Sequence, residues 1–568
     1  MRRALIALGL AIIASTGGIV VSADEPEETS DSAPPSLRGN ALVTLASPWR
    51  WQIVLAPTLT PQIGALAASG LDVATGRAPA VIAVLGTGTE PPRWPYAVAS
   101  PLPTLPAAPS DQRIAAAFGV TTFMLTRADE DLAMLELRVK YQDGLIATLN
   151  GIEVARSGLP RWSKTTSLAK RPHGPEWETF YIPVGPMLLR LGENTLALEL
   201  HPASIHDAPS AAVELSARRD KGIVRGPTLA AVTATSAHVV VETDPDTDAV
   251  LSWGTSGLDH QVTSPPGRHH DFALEGLPTG AIRYRVNAGA DQSAEQIFHT
   301  VPAAGATIRI GIYGDVRGGH STHRKLVDQM FAEPLDLVAV TGDMVLRGPD
   351  IADWQRFFAI TEPLLGALRY LPTIGNHDLG LDGAQIFALP PLPPDRPTGT
   401  FWYAYDYADV HLVFLDSNAY DARAQEKWLE DDLRAARARK TRAILAFTHD
   451  GPYSRGYHGG SVDARTRYAP ILVRYGVDYL FSGHDHLYQR GEQDGLRYIV
   501  TGGGGASLYS PTCGVKGRRA CAVPDGMKFI AKEHHFLVAT IDATTVEVCA
   551  RKTDGALLEP CSRVPLHK

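Results

Sequence analysis

The chain has 568 residues, which is more than a single domain usually holds and about right for three or four. It is 44% hydrophobic and 20% charged, as in an ordinary folded protein, and its formal net charge is -8. This charge argues against a broad nucleic-acid-binding face, so we expect no stable nucleic-acid binding, although a small basic site is compatible with it.

The first residues have the pattern of an export signal. Met1–Arg3 is positively charged, Ala4–Val21 is apolar, and Val21-Ser22-Ala23 fits the small-residue cleavage rule. We predict a signal peptide at residues 1–23 and a secreted or periplasmic protein, the alternative being an uncleaved anchor. No later apolar run is long enough to span a membrane, so we expect no membrane span after cleavage. Residues 24–40 are acidic and rich in Ser and Pro, which predicts a flexible leader.

Residues 41–220 have the alternating pattern of β-strands. Leu135–Tyr141 alternates apolar and polar side chains, Asn150-Gly151 is a hairpin turn, and Thr195–His201 resumes the alternation. We predict a β-sandwich, whose second half resembles the galactose-binding-like jelly rolls found beside hydrolase domains. Trp162 and Trp177 could stack on a carbohydrate, but such residues are more often ordinary parts of a sandwich.

Residues 225–302 predict a second, smaller β-sandwich of the fibronectin or immunoglobulin type. Short alternating segments such as Ala237–Glu242 and Ala249–Trp253 are separated by turn residues. Arg225-Gly226-Pro227, Ser252-Trp253-Gly254 and Leu274–Leu277 resemble the domain that precedes the catalytic domain of purple acid phosphatases.

From Ala306 to the end, at residues 306–568, apolar runs alternate with helical patterns, which indicates an α/β domain. The predicted helices are His323–Ala332, Ala352–Leu368 and Ala422–Lys440, the last with Asp421 as its N-cap. The predicted strands are Ile308–Tyr313, Leu335–Val340, Tyr370–Ile374, Val410–Leu415, Ala443–Phe447, Tyr479–Phe481 and Tyr498–Val500.

Five of these strands are followed at once by residues that bind hard metal ions. The five segments are Gly314-Asp315, Gly342-Asp343, Gly375-Asn376-His377-Asp378, His449-Asp450 and Gly483-His484-Asp485-His486. Loops at the carboxyl ends of strands in an α/β sheet meet in one crevice. Any one of these residues has an ordinary structural interpretation, but five such coincidences in order favour a metal site.

The donor set of this crevice suits Zn, Mn or Fe, because it mixes carboxylate and amide oxygens with imidazoles. Six ligands exceed what one tetrahedral ion needs and fit two ions that share a carboxylate. Two such ions generate hydroxide near neutral pH and hold a phosphoryl group for attack.

The same ordered segments resemble the calcineurin-like metallophosphoesterases, and the preceding fibronectin-like segment makes the purple acid phosphatase branch the nearest resemblance. The resemblance covers roughly residues 225–540. It implies that Asp343 bridges two metals, with Asp315 and His486 at the first and Asn376, His449 and His484 at the second. It also implies that His377 is the general acid, helped by Asp378.

Two residues depart from the family pattern. Arg317 stands where many members have a histidine ligand, and a guanidinium binds phosphate rather than metal. The first metal is then weakly held or partly replaced by Arg317. His320 or His323 could supply the missing ligand, but we favour the interpretation of both as surface or helix-start histidines. Leu346 stands where purple members have tyrosine, so we predict a colourless protein.

The four cysteines, Cys513, Cys521, Cys549 and Cys561, all lie near the C-terminus. In an exported protein they suggest two disulfides, for which three pairings exist. We favour Cys513–Cys521 and Cys549–Cys561, the alternatives being free thiols or a zinc site.

These observations predict an exported enzyme that hydrolyses phosphomonoesters or phosphodiesters through a metal-bound hydroxide. The alternative is a glycan-binding surface or periplasmic protein with a degenerate metal site. The substrate, the metal pair and the oligomeric state do not follow from the sequence.

Overall fold

The computed structural model describes residues 21–22, 40–43, 48–57, 81–84, 98–99, 112–126, 132–160, 163, 167–170, 176–185, 187–204, 209–219, 222–379, 397, 399–516 and 518–567. Before residue 114, only the backbone is described. The predicted signal peptide and leader therefore lie almost wholly outside the described residues, as does Trp162. Two residues of the predicted signal peptide, Val21–Ser22, form a short strand.

The first part of the chain is all β within the described residues. Its strands are β1 Val21–Ser22, β2 Asn40–Val43, β3 Pro48–Pro57, β4 Val81–Val84, β5 Val98–Ala99, β6 Gln112–Leu125, β7 Leu132–Tyr141, β8 Gly144–Leu149, β9 Ile152–Ser157, β10 Glu176–Pro183, β11 Gly192–His201 and β12 Ala211–Arg219. One sheet has the order β1-β9-β8-β11-β6-β3-β4, with β5 beside β3, and the other has the order β10-β7-β12-β2. Their alternating apolar residues form one buried cluster that includes Leu137, Leu149, Phe180 and Leu198.

Residues 222–299 form a separate antiparallel sheet whose strands differ in length. Its strands are β13 Gly222–Val232, β14 Ser236–Gly254, β15 His260–Glu275, β16 Ala281–Ala288, β17 Asp291–Gln292 and β18 Gln296–His299. The predicted strands 237–242 and 249–253 are parts of one continuous strand, β14, which pairs with β13, β15 and β16.

The last part has two sheets and helices. Its strands are β19 Ile308–Tyr313, β20 Leu337–Val340, β21 Arg369–Pro372, β22 Tyr403–Tyr407, β23 Val410–Phe414, β24 Ala443–Phe447, β25 Tyr479–Ser482, β26 Tyr488–Gln493, β27 Leu496–Thr501, β28 Met527–Ala531, β29 His535–Ile541, β30 Thr545–Lys552 and β31 Ser562–Pro565. Its helices are α1 His320–Ala332, α2 Ile351–Ala367, α3 Arg423–Ala438 and α4 Ala469–Arg474, with shorter turns at Ser417–Ala419 and Ala464–Tyr468.

The two sheets of this last part bring parallel strands side by side. One has the order β21-β20-β19-β29-β30-β31 and the other β22-β23-β24-β25-β27-β26-β28. Strands β19, β20 and β21 are mutually parallel, as are β23, β24, β25 and β27. Parallel strands of this kind are buried on both faces, which explains their continuous apolar sequences. Their carboxyl ends carry the candidate site.

A row of aromatic rings crosses the second of these sheets. Tyr403, Phe414, Phe447 and Phe481 lie on adjacent strands, with successive ring centroids 4.6, 4.8 and 5.3 Å apart. All four side chains are fully buried. Stacked aromatic pairs of this kind add to the stability that burial alone gives, so the row fixes the register of the strands that carry the site.

The earlier sheets pack against this last part. Tyr284 of β16 donates a hydrogen bond to the Gly366 carbonyl of α2 at 2.6 Å. Tyr181 of β10 lies in the same buried cluster as Leu326 and Met330 of α1. The helices next to the site are therefore supported from both β-rich parts of the chain.

The disulfides, the start of α3 and the surroundings of Trp177 bear on predictions made from the sequence. The pairings Cys513–Cys521 and Cys549–Cys561 are confirmed. The N-cap prediction for Asp421 is wrong: α3 is capped by Ala422, which follows the turn at Ser417–Ala419 and donates its N–H to the Ala419 carbonyl. Across the described part of the chain, no helix is long and apolar enough to cross a bilayer. Trp177 lies under the Arg138 guanidinium at 5.0 Å.

Candidate metal centre

The six predicted metal ligands come from five strand ends and meet at one edge of the two sheets. Asp315 follows β19, Asp343 follows β20, and Asn376 follows β21 by a few residues. His449 follows β24, while His484 and His486 follow β25. Within the described residues, ligand atoms of Asp315, Asp343 and His449 lie within 4.8 Å of one another.

Asp343 lies at the centre of the group. On one side of it are the ligands predicted for the first metal, Asp315 and His486, which form the first half of the site. On the other side are those predicted for the second metal, Asn376, His449 and His484, which form the second half. Oδ1 of Asp343 is 3.3 Å from Nε2 of His449 and accepts the backbone N–H of His377 at 3.0 Å. Its Oδ2 accepts a hydrogen bond from Nε of Arg317 at 2.9 Å. One carboxylate oxygen is thus directed to each side, which is the arrangement that a bridging ligand requires.

The backbone at these strand ends is conformationally unusual. Asp315, Asp343 and His484 have φ values of 58°, 55° and 67°, in the left-handed region that side chains other than glycine rarely adopt. Such strain persists where the surrounding structure holds it, and it is concentrated at functional sites. A Cβ on Gly375 would collide with Asp343, and one on Gly483 would collide with Asp315, so both positions need glycine.

Two of the three imidazoles are oriented by backbone carbonyls. Nδ1 of His449 is 2.8 Å from the Thr341 carbonyl oxygen, and Nδ1 of His486 is 2.8 Å from that of Ser507. A carbonyl only accepts, so Nδ1 must carry the proton in both rings. The Nε2 lone pair of each ring is then left facing the carboxylates, as metal ligation requires.

Burial keeps these histidines neutral. Burial, and then neighbouring histidines, lower the pKa of His484 to about 3. Burial lowers the pKa of His486 to about 4, although its bond to the Ser507 carbonyl opposes this effect. Burial also lowers the pKa of His449. Burial and the Asp343 carboxylate raise the pKa of Asp315 well above its ordinary value. The neutral imidazoles are in the protonation state that binds metal.

Arg317 enters the first half of the site, among Asp315, Asp343 and His486. Besides its bond to Asp343, its Nη2 is 3.3 Å from Nε2 of His486. A guanidinium between two predicted ligands supplies positive charge at the place where a metal ion would otherwise neutralise them.

The two halves of the site differ in how well they fit a metal ion. In the second half, Nε2 of His449 is 3.2 Å from both Oδ1 of Asn376 and Nδ1 of His484, so three donor atoms and Asp343 converge on one point. This half fits a hard or borderline divalent ion without rearrangement. In the first half, Asp315, Asp343 and His486 fit an ion only if the Arg317 side chain withdraws.

His377 lies beside the cluster and is half-buried. Its Nδ1 is 2.8 Å from the Leu346 carbonyl oxygen, which fixes the ring and leaves Nε2 for another partner. The two Asp378 oxygens instead accept the backbone N–H groups of Gly375, Asp343, Met344 and Val345. The predicted help from Asp378 to His377 is therefore corrected to a positioning role: Asp378 ties together the two loops that carry Asp343 and Asn376.

Two aromatic rings contact the histidines of the site, and the sequence did not predict either contact. The His458 ring packs at a tilt against His484, with centroids 3.8 Å apart, and the Tyr509 ring stacks on His486 at 4.1 Å. Burial raises the pKa of Tyr509, and the nearby Arg317 guanidinium opposes this rise. His458 lies on the loop that follows His449, whereas Tyr509 follows the glycine run 502–505, which carries no ligand-type residue.

His320 and His323 do not join the cluster. Nε2 of His323 faces the Tyr313 hydroxyl at 3.1 Å, and Nε2 of His320 faces Arg356 at 3.4 Å. The alternative in which either one replaces the missing ligand is therefore wrong, and both residues lie in the first turn of α1, as the favoured interpretation has it.

Comparison with known proteins finds a family match over the part of the chain that carries this site. The sequence profile of the calcineurin-like phosphoesterases matches residues 308–488, the segment that contains every predicted ligand. The chain contains a calcineurin-like phosphoesterase domain. Among similar proteins, purple acid phosphatase 21 of Arabidopsis thaliana is 26% identical over 261 residues, which cover 42% of this chain and 59% of that protein. A purple acid phosphatase of Glycine max is 26% identical over 245 residues, 39% of this chain and 53% of the relative.

The fold of the phosphoesterase domain and its surroundings is shared with a solved structure, that of purple acid phosphatase PPD1 from yellow lupin (Lupinus luteus) seeds. The TM-score is 0.53 at 17% identity, and the match covers 79% of this chain and 93% of the lupin chain. The match thus extends well beyond the phosphoesterase domain. The chain spans a little over half the length of the curated relatives.

Proposed function

We propose that this protein is a metal-dependent phosphoesterase that hydrolyses phosphomonoesters or phosphodiesters. The observation that carries this proposal is the convergence of Asp315, Asp343, Asn376 and the three histidines at the carboxyl ends of parallel strands. The phosphoesterase domain supports it, since this family and the purple acid phosphatases use dinuclear metal centres.

We assign the metal ligands from the donor atoms that converge. Asn376, His449, His484 and Asp343 would hold one ion, and Asp315, His486 and Asp343 would hold a second in a conformation in which the Arg317 side chain has withdrawn. Bound ions of the Zn, Mn or Fe type polarise the phosphoryl group and lower the pKa of bound water.

Arg317 binds the phosphoryl oxygens in this proposal. Its guanidinium is half-buried, and it is held beside Asp343 and His486 before any substrate arrives. A planar guanidinium pairs well with two phosphoryl oxygens at once. The Tyr509 side chain is near enough to Arg317 for the guanidinium to oppose the rise that burial causes in the pKa of Tyr509.

His377 serves as the general acid. In ester hydrolysis, a new phosphorus–oxygen bond forms to water, which gives up one proton to solvent, while the bond to the alcohol oxygen breaks. The leaving oxygen takes the Nε2 proton of His377, whose Nδ1–H remains bonded to the Leu346 carbonyl. The ring then regains a proton from solvent, to which it is partly exposed.

The proposal is tested by hydrolysis assays on metal-analysed protein, with aryl phosphate monoesters and bis-aryl phosphate diesters whose alcohols span a range of pKa. We expect metal-dependent turnover. His377→Ala should lower turnover by about 100-fold or more for alcohols of high pKa and much less for nitrophenol, whose anion leaves without a proton. The metal content should not change. Absence of hydrolysis in fully metal-loaded wild-type protein, or an equal loss for all leaving groups, would contradict the proposal.

We also propose that the β-rich part of the chain forms two sandwiches, at residues 41–220 and 225–302, and that the protein is exported. The two sheets of the first part and the separate sheet of the second support the division. The signal-like residues 1–23 and the two disulfides support export. N-terminal sequencing of protein recovered outside the cytoplasm tests export, since it should begin at Asp24.

A further inference from the structure

Three large apolar side chains are exposed beside the candidate metal centre. Leu346, Ile351 and Leu379 are 42%, 62% and 44% exposed. All three line one open depression of about 680 Å³ on the surface, here called the cavity, and Asn376 and His377 line the same cavity. Apolar side chains exposed together around a site point to a binding surface, whereas isolated ones need no explanation.

The walls of this cavity are held in place by hydrogen bonds. The Gly348 N–H donates to the His377 carbonyl at 2.7 Å, and the Trp354 indole donates to the Gly348 carbonyl at 2.8 Å. Asp350 caps α2 by accepting the Ala352 N–H at 2.9 Å. The loop from Leu346 to Asp350 is therefore fixed against the segment that carries His377, and the exposure of its apolar residues belongs to a preformed cavity.

The charged residues that line the cavity neutralise each other. Nη2 of Arg347 is 2.7 Å from Oδ2 of Asp350, three residues along. Of the described residues that line the cavity, these two carry the formal charges, apart from His377 when it is protonated. The cavity is thus suited to an uncharged apolar group and poorly suited to a second anionic group.

The cavity lies on the side of the site where the proposed general acid is held. The Leu346 carbonyl orients the His377 ring, while the Leu346 side chain lines the cavity. Asn376 connects the cavity to the metal centre, because its Oδ1 is 3.2 Å from Nε2 of His449. A phosphoryl group held at the metal centre, with its leaving oxygen at His377, would direct its alcohol group into this cavity.

We propose that the cavity binds the leaving group of the substrate, and that the preferred substrates are phosphate esters of aryl or similarly apolar alcohols. This inference rests on the proposed phosphoesterase function. Leu346, Ile351 and Leu379 are its specificity-determining residues, and they act by removing apolar surface of the alcohol from water.

Two non-hydrolysable probes test the cavity without relying on turnover. Calorimetry on the metal-loaded protein compares 2-naphthylmethylphosphonate with methylphosphonate, which share the phosphonate group and differ only in the apolar group. We expect the naphthyl compound to bind about tenfold more tightly or better. The substitutions Ile351→Glu and Leu379→Gln should reduce this preference to about threefold or less, while the affinity for methylphosphonate stays within about twofold.

The chain offers a matched control and a substitution that suits the fold. Ile351 is the first residue of α2, where an acidic side chain is favourable, so Ile351→Glu should fold normally. Leu557→Gln is the control, because Leu557 is 48% exposed and bridges to Arg551. Arg551 pairs with Glu333, and Glu333 also pairs with Arg309 near the start of β19. Asp315 follows the other end of β19, so Leu557 lies on the side of the domain away from the metal centre.

The results separate the two proposals. Equal binding of the two phosphonates, or an unchanged preference in both cavity variants, overturns the cavity inference even if esters are hydrolysed. A naphthyl preference that the cavity variants abolish and Leu557→Gln retains supports it, whether or not hydrolysis is seen. Hydrolysis assays on the same wild-type preparation decide the phosphoesterase function independently.

Discussion

Buried histidines in two regions of this protein have opposite charge states, and the difference lies in their partners. At the candidate metal centre, His449 and His486 direct Nδ1 to a backbone carbonyl, and burial lowers the pKa of each ring. On β23, His411 lies between two carboxylates, with Nδ1 2.6 Å from Asp406 and Nε2 2.8 Å from Asp432. Burial alone would lower the pKa of His411, but these hydrogen bonds outweigh it and raise the pKa to about 9.

The comparison shows that burial alone does not decide what a histidine does. A carbonyl partner fixes one tautomer and leaves a lone pair free for a metal ion. Two carboxylate partners leave no free lone pair and stabilise the imidazolium. The first arrangement leaves an imidazole nitrogen available to a metal ion, and the second joins β22, β23 and α3 through a charged bridge.

The strongest test of this difference is removal of a histidine at the metal centre. His449→Ala should lower turnover by about 1000-fold or more and lower the metal bound per chain, because the second half of the site loses a ligand next to Asp343. Elemental analysis and steady-state assays measure both. Unchanged metal content in this variant would mean that His449 is a structural residue like His411.

Arg317→His tests whether the first half of the site can be made like the second. A histidine here removes the guanidinium from between Asp343 and His486 and adds a neutral donor. We expect the second equivalent of metal to bind about tenfold more tightly, measured by calorimetric titration with Zn²⁺ or Mn²⁺. Arg317→Met, which removes the charge without adding a ligand, is the matched control. Identical titration curves for wild type and Arg317→His would refute the idea that Arg317 limits metal binding.

His411→Asn should affect stability and leave the metal centre unchanged. The loss of two charge-assisted hydrogen bonds should lower the free energy of unfolding by about 2 kcal/mol. Denaturant unfolding measures the loss, and metal content and turnover below the transition should match wild type. A drop in metal content comparable to that of His449→Ala would break the distinction between the two regions.

The smallest expected effect is the pH dependence of stability that His411 contributes. Its folded pKa of about 9 lies above its ordinary value of 6.5, so the folded state holds the proton more tightly than the unfolded state. The stabilisation is fully present below pH 6.5 and is lost as the pH rises through 9. Unfolding of wild type and His411→Asn between pH 6 and 10 should therefore give curves that converge at high pH. A difference that stays constant or grows would contradict the assignment.

The sequence predicted the candidate site well because its ligands follow strands with strong local patterns. Asp315 and Asp343 come after short apolar runs with a glycine between, and parallel strands bring such positions to one edge. Tyr509 could not be found in this way, because its contact with His486 depends on a loop without periodicity. The Asp378 interaction was misassigned because its partners are backbone N–H groups, which leave no trace in side-chain types. The start of α3 was misplaced for a similar reason, since the turn at Ser417–Ala419 shifts the first helical residue past Asp421.

The contact between β10 and α1 has a practical consequence for shortened versions of this protein. Arg324 is buried, and its Nη1 lies 3.4 Å from the Tyr181 hydroxyl, while its Nε pairs with Asp328. A fragment that begins at Gly222 would uncover this side chain and the apolar face around Leu326 and Met330, on the helix that follows Arg317. Such a fragment is expected to aggregate, so purification of the phosphoesterase domain by itself is a poor route to studying its chemistry.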